Sequence, residues 1–202
     1  MNRTRRLRDI RHWVFDMDGT LTVAVHDFPA IKRALGIAQE DDILGHLAAL
    51  PAEESAAKHA WLLEHERELA LASQPAPGAV ELVRELAERG YRLGILTRNA
   101  RSLAHVTLQA IGLADCFAIE DVLGRDEAPP KPDPGGLLHL AAAWQVAPSN
   151  MVMVGDYRFD LDCGRAAGAY TILVNLPENP WPELTDNYAR DCQALRAMLA
   201  VA

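Results

Sequence analysis

Short apolar runs alternate with helical patterns along most of this chain, and that alternation admits few folds. The runs at residues 12–16, 91–97, 116–120, 151–155 and 171–175 are strand-sized and apolar enough to be buried on both faces. Between them lie amphipathic stretches. Residues 78–89 place apolar side chains at 79, 82, 83 and 86, with Gly90 set to end the helix. Residues 99–111 are closed by Gly112 and 158–167 by Gly168; 134–146 opens with Asp133 as N-cap and Pro134 at the first helical position. A last helix is expected over 188–199. Strand–helix alternation of this kind predicts an α/β fold, a doubly wound and mainly parallel sheet.

One stretch breaks the pattern. From Val23 to Pro75 no strand signal occurs, and 28–35, 41–50 and 53–72 all read as helices. In the last of these, Leu62, Leu63, Glu66, Leu69 and Ala70 form one stripe. A crossover between parallel strands needs only one helix. Three read either as an αα pair within the crossover or, the expectation adopted here, as a small helical cap over 23–75, inserted between the first two strands, with 1–22 and 76–202 forming the α/β core and Pro75 and Pro77 marking the return.

Bulk properties exclude several roles. A net charge of −8 argues against nucleic acid as a general partner. Arg3, Arg5, Arg6, Arg8 and Arg11 against Asp9 put +4 into residues 1–12 and leave −12 for the rest. An Arg-rich start can mark a transit peptide, but the first strand follows too soon, so a solvated or surface-docked leader is expected. No apolar run is long enough to span a membrane. The three cysteines, Cys116, Cys163 and Cys192, are scattered and odd in number, as reduced core thiols of a cytoplasmic protein would be.

Chemistry gathers where it should in an open α/β sheet, beyond the carboxyl ends of the strands. Asp16 and Asp18 follow the first strand in Asp16-Met17-Asp18-Gly19-Thr20. Residues i and i+2 share a side, and two acids held close repel unless a proton or cation lies between them. The pair suits Mg²⁺, which takes one or two carboxylates plus water and phosphate oxygens. Thr97-Arg98-Asn99 follows the second strand, at a helix start where a hydroxyl and free N–H groups make an anion site. Asn99 is placed to orient that loop, and Arg98 to meet substrate or solvent. Lys131, between Pro130 and Pro132, follows the third. Asp156 and Asp160 follow the fourth, four apart and so on one helix face, with Asp162 off that face and solvated. Each has a plainer reading: an Asx turn at Asp16 or Asp18, a helix cap at Thr97 or Asp156, a surface lysine at Lys131. Together the four acids bring a charge that Lys131 and a divalent cation would balance before a phosphate could approach.

In order and spacing these residues resemble the haloacid dehalogenase superfamily of phosphotransferases. Asp16-Met17-Asp18-Gly19-Thr20-Leu21-Thr22 is similar to its first motif, Thr97 to its second, Lys131 to its third and Gly155-Asp156-Tyr157-Arg158-Phe159-Asp160 to its fourth. The helical insertion resembles the cap of the subfamily that includes phosphoglycolate phosphatase and β-phosphoglucomutase. The resemblance implies Asp16 as nucleophile forming an aspartyl-phosphate, and Asp18 as acid and then base. It also implies Mg²⁺ on the Asp16 side chain, the Asp18 backbone carbonyl and Asp156, with Asp160 acting through water or orienting Lys131. Thr97, Arg98, Asn99 and Lys131 would serve the phosphate. Family members that cleave carbon–halogen bonds lack the acid at the position of Asp18, so phosphate chemistry is expected.

The expected function is therefore Mg²⁺-dependent hydrolysis of a small phosphorylated metabolite by a cytoplasmic monomer or homodimer, with no nucleic-acid or membrane partner. A phosphomutase would keep the same residues under a more enclosed cap. A receiver-type phospho-accepting switch would carry its Asp after a later strand and lack the insertion, and an idle partner-binding domain would not need every catalytic position filled. Substrate contacts are expected in the cap and near Thr22–Phe28, with His26, Lys32, Arg33, His46, Lys58 and His59 as the polar candidates.

Overall fold

The computed structural model describes residues 7–24 and 28–200. Strand β1 (His12–Phe15) lies at the centre of a six-stranded sheet ordered β3-β2-β1-β4-β5-β6. The others are β2 (Arg92–Leu96), β3 (Val122–Leu123), β4 (Met151–Gly155), β5 (Tyr170–Val174) and β6 (Asn187–Ala189), and all pairings are parallel. The chain runs outward from β1 in one direction and then, from β4, in the other. This sheet, flanked by helices on both faces, is the α/β, Rossmann-like arrangement expected of the sequence, and β1/β4 is its switch point.

Alternation along β1 decides which helices lie where. Trp13 and Phe15 point to the face covered by α4 (Ala79–Glu88), α5 (Arg101–Ala110) and α8 (Cys192–Ala200), where they meet Leu82, Leu86, Leu108 and Leu195. Val14 points to the opposite face, beneath α6 (Gly135–Ala143) and α7 (Arg158–Ala167), with Leu137, Leu140 and Cys163. Both faces are covered, so the strands are apolar throughout rather than alternating with polar residues.

Two expectations fail at the sheet's margins. Residues 116–120 are not a strand: short 3₁₀ turns occupy Ala114–Cys116 and Ile119–Asp121, and pairing begins only at Val122, opposite Ile95. The reason is burial. Ile119 is 68% exposed, whereas Val122 and Leu123 are covered on both faces, so the ladder forms where both neighbouring side chains can be buried. The final helix starts at Cys192 rather than residue 188, because Asp191 Oδ1 accepts the Ala194 N–H at 2.7 Å and caps it. Residues 187–189 before that cap form β6.

Between β1 and α4 the chain forms α1 (Phe28–Leu35), α2 (Ile43–Ala48) and α3 (Ala52–Leu71). These pack around their own cluster of Ile31, Leu35, Ile37, Leu47 and Leu62. On α3 the buried line is Leu62, Glu66 and Ala70, at i+4 spacing; Leu63, expected in that stripe, is 43% exposed. The way out and the way back run side by side, with Val23 N–H donating to Gln74 O at 3.0 Å and Ala76 N–H to Leu21 O at 2.9 Å.

Candidate active site

Strand register brings the first and fourth motifs together. Phe15 pairs with Ile95 on one side and Val154 on the other, so β1, β2 and β4 end level. Asp16 is the next residue, its N–H still bound to Val154 O at 2.9 Å. The chain then folds over Met17, whose carbonyl accepts the N–H groups of Thr20, Leu21 and Thr22 at 3.3, 2.9 and 3.1 Å. This turn needs Gly19. Its φ is +85°, and a Cβ there would lie 2.3 Å from Asp156 Oδ2. Stripping that side chain lets the first motif press against Asp156. The Thr20 hydroxyl then stands 3.0 Å from Asp156 Oδ1 and 3.4 Å from Asp16 Oδ2. Asn175, just past β5, ties the turn down by donating from Nδ2 to the carbonyls of Gly19 and Thr20, both at 2.8 Å.

Lys131 is 4% exposed and bridges two acids, reaching Asp16 Oδ1 at 2.5 Å and Asp160 Oδ1 at 2.6 Å. This is no surface lysine. Asp160 is positioned by the start of α7, where its Oδ2 accepts the Tyr157 N–H at 3.1 Å. Gly155 makes the approach possible, since a Cβ at that residue would meet the Asp160 Cβ at 2.2 Å. Asp162, expected to be solvated, pairs with Arg158 at 3.2 Å on the outer side of the helix.

Electrostatics show what the cluster lacks. Burial pulls the Lys131 ammonium down, but Asp16 and Asp160 outweigh it and hold the proton on. The acids shift the other way. Burial, then the charge of Asp16, pushes Asp18 up to about 7, with Glu66 adding to the rise and Lys131 and Asn99 opposing it. Asp156 and Asp160 are raised together, chiefly by burial and by the other acids, with Lys131 opposing the shift at Asp160. One ammonium does not balance Asp16, Asp18, Asp156 and Asp160.

The donor set fits a hard divalent cation. One oxygen from each of Asp16, Asp156 and Asp160 lies within 4.8 Å of the others. The carboxyl of Asp18 is not part of that trio; its Oδ2 accepts from Asn99 Nδ2 at 2.6 Å. Thr97, buried at the end of β2, uses its hydroxyl to accept the Asn99 N–H at 3.1 Å and so sets the Asn99 side chain toward Asp18. It caps this turn rather than α5, whose N-cap is Ala100. Arg98 is drawn to the helical insertion: its guanidinium pairs with Asp42 at 2.7 Å and lies over the Phe159 ring at 5.6 Å.

Four of the polar candidates of the insertion are occupied locally, and Arg33 lies exposed in the last turn of α1. Lys32 donates to Gln39 O at 2.6 Å, His46 lies 3.5 Å from Asp41, Lys58 pairs with Glu54 at 3.0 Å, and His59 contacts Ser55 O at 2.8 Å. His26 falls outside the described residues. Besides Asp42, Glu66 of the insertion reaches the core, bound to Arg125 Nη1 at 2.9 Å. Neither Glu66 nor Arg125, nor Thr20 or Asn175, stands out as a site residue in the sequence alone. The one available signal was a glutamate in the middle of an apolar stripe.

Comparison with known proteins places this geometry in a family. Residues 10–168 match the haloacid dehalogenase-like hydrolases. An uncharacterized hydrolase of Saccharomyces cerevisiae is 34% identical over 171 residues, covering 83% of this chain and 78% of the yeast protein. Phosphoglycolate phosphatase of Rhodospirillum rubrum is 33% identical over 193 residues, covering 80% of this chain and 78% of that enzyme. A hydrolase from Pseudomonas syringae superposes with a TM-score of 0.76 at 22% identity, covering 94% of this chain and 98% of that one, a likeness of fold. The chain therefore belongs to the haloacid dehalogenase-like hydrolase family. It is an enzyme of the phosphatase kind found among those relatives. No helix among the described residues is long and apolar enough to cross a membrane.

Proposed function

We propose that the chain is a Mg²⁺-dependent phosphomonoester hydrolase that works through an aspartyl-phosphate on Asp16 and acts on a small organic phosphate. The observation that carries this reading is the convergence of Asp16, Asp156 and Asp160 on one point, with Lys131 bound to two of them.

In this reading an Asp16 carboxylate oxygen attacks phosphorus. The bond to the ester oxygen breaks, and that oxygen leaves with the electron pair and takes the proton held by Asp18. A carboxyl kept near 7 by burial is protonated often enough at neutral pH to do this, and is then basic enough to take a proton from water. The water oxygen attacks phosphorus, the phosphate is released and Asp16 is restored. Lys131 and Thr97, with the N–H groups of the first turn, would bind the phosphoryl oxygens where charge concentrates. Asn99 fixes the direction of Asp18. A divalent cation held by Asp16 and Asp156, with the Asp18 backbone carbonyl and Asp160 in support, would offset the charge that the acids and the incoming phosphate share. The helices between residues 23 and 75 act as a cap that covers the leaving group, and Arg98–Asp42 joins cap to core.

Hydrolysis of an aryl phosphate ester, followed as released inorganic phosphate, tests this. Turnover is expected with Mg²⁺ and is lost on chelation. Turnover that survives full chelation removes the cation from the mechanism, and absence of turnover under both conditions removes the phosphatase reading.

A further inference from the structure

Glu66 is an anomaly in the helix that carries it. It lies between Leu62 and Ala70 on the buried face of α3 and is only 8% exposed. Glu66 Oε1 is held by Arg125, but Oε2 is buried and has no hydrogen-bond partner among the described residues. A buried carboxylate oxygen left without a donor is costly, because the desolvation of a charged group goes uncompensated. Such a position invites a ligand that supplies the donor.

The surroundings say which ligand. From Glu66 a line of contacts leads to the acid: Glu66 to Arg125 at 2.9 Å, Arg125 N–H to Asn99 O at 2.9 Å, and Asn99 Nδ2 to Asp18 at 2.6 Å. In the reading above, Asp18 meets the ester oxygen, so this line starts at the group that the leaving oxygen touches. The cation on the line, Arg125, is already committed to Glu66. A carboxylate on the leaving group would meet two carboxyl groups there with no uncommitted positive charge on the line. A hydroxyl would meet an acceptor in need of a donor.

We propose that Glu66 is a specificity residue: its free Oε2 accepts a hydrogen bond from a hydroxyl on the leaving group, so the substrate is a polyol or sugar phosphate rather than a phosphorylated carboxylic acid. This deepens the phosphatase reading and rests on it. The relatives named phosphoglycolate phosphatase point the other way, which makes the choice decisive.

Two matched pairs of esters test it, each differing only in a hydroxymethyl against a carboxylate: 2-hydroxyethyl phosphate with 2-phosphoglycolate, and glycerol 3-phosphate with 3-phosphoglycerate. For the full-length protein with Mg²⁺, kcat/KM is measured for each ester, and Ki for each as a competitor of aryl phosphate turnover. The hydroxyl member should be favoured by at least about tenfold in both pairs, the size of one hydrogen bond to a charged acceptor. Glu66→Gln should bring the ratio to within about threefold of parity by removing the charge that discriminates. The double variant E66Q/R125Q, which leaves no lone buried charge, should do the same where the single variant folds poorly. A carboxylate member equal to or better than its partner in the wild type, or a ratio unmoved in a folded variant, overturns the proposal. Wild-type failure on the aryl ester would instead overturn the phosphatase reading beneath it.

Discussion

At the carboxyl edge of the sheet, the buried ammonium of Lys131 has two carboxylates within 2.6 Å, and the Thr20 hydroxyl sits between two of the acids. In the helical insertion, the buried charge of Glu66 has one partner, and its second oxygen is buried with no hydrogen-bond partner among the described residues. The two regions also differ in support. The edge rests on strands with apolar clusters on both faces, whereas α1, α2 and α3 share a small cluster of their own. The contrast indicates a division of labour. In the reading proposed above, groups that act on every substrate are fixed in place by the sheet, and the group that distinguishes substrates is mounted on helices with a smaller apolar cluster of their own.

The largest way to break that division is at Asp16. Asp16→Asn should lower turnover by about 10⁴-fold or more, with the fold retained by circular dichroism. Near-normal rates would move the chemistry elsewhere. Asp18→Asn should cost about 10²–10⁴-fold, since it removes a general acid while leaving the nucleophile.

The same variant sharpens the electrostatic side. In the folded protein Asp18 titrates at about 7, above its value in the unfolded chain, so the native state binds the extra proton. That contribution to stability is fully present below the unfolded pKa and is lost as pH rises through the folded one. Without added metal, Asp18→Asn should therefore gain stability relative to wild type as pH rises from about 4 past 7. Denaturant melts across that range check it; a constant difference would mean that Asp18 is not buried against like charge.

Packing gives the next comparison. Leu82→Ala beneath the sheet and Leu62→Ala in the insertion should each cost about 2–5 kcal/mol locally. Only the first should lower the melting temperature of the whole protein by the full amount. For the second, faster amide exchange confined to α1–α3 is expected; exchange that accelerates equally in β1 and β4 would make the two regions one cooperative unit. Asp42→Ala should have the smallest effect. It removes the Arg98 pair and the cap on Gly45 N–H at 2.8 Å, costing about 1–2 kcal/mol within the insertion.

The legibility of these features in the sequence follows the range of the interactions behind them. The places of Asp16 and Asp156 at the carboxyl edge of the sheet are legible because each needs only a strand end and the turn after it, which are local matters. Lys131 is legible only as charge balance and, through the resemblance, as a partner of Asp160; its burial between Asp16 and Asp160 is not. The failures are long-range. Residues 116–120 had a strand's composition, but whether a run pairs depends on what covers both faces, and Ile119 has no cover. The helix expected over 188–199 takes in Tyr188 and Ala189 of β6 because a three-residue edge strand has almost no periodicity. Asn175 acts on a turn 156 residues away. Glu66 looked like a polar interruption of an apolar stripe, and its partner Arg125 lies 59 residues further on.

The central claim is that Asp16 carries the phosphoryl group. Rapid quench of the Mg²⁺-loaded enzyme during turnover of an aryl phosphate, followed by peptide mass spectrometry, tests it most directly. The account predicts one phosphoryl group on the peptide containing Asp16, absent from Asp16→Asn and absent after chelation. Sustained turnover with no label on that peptide, or label that persists in Asp16→Asn, would contradict it.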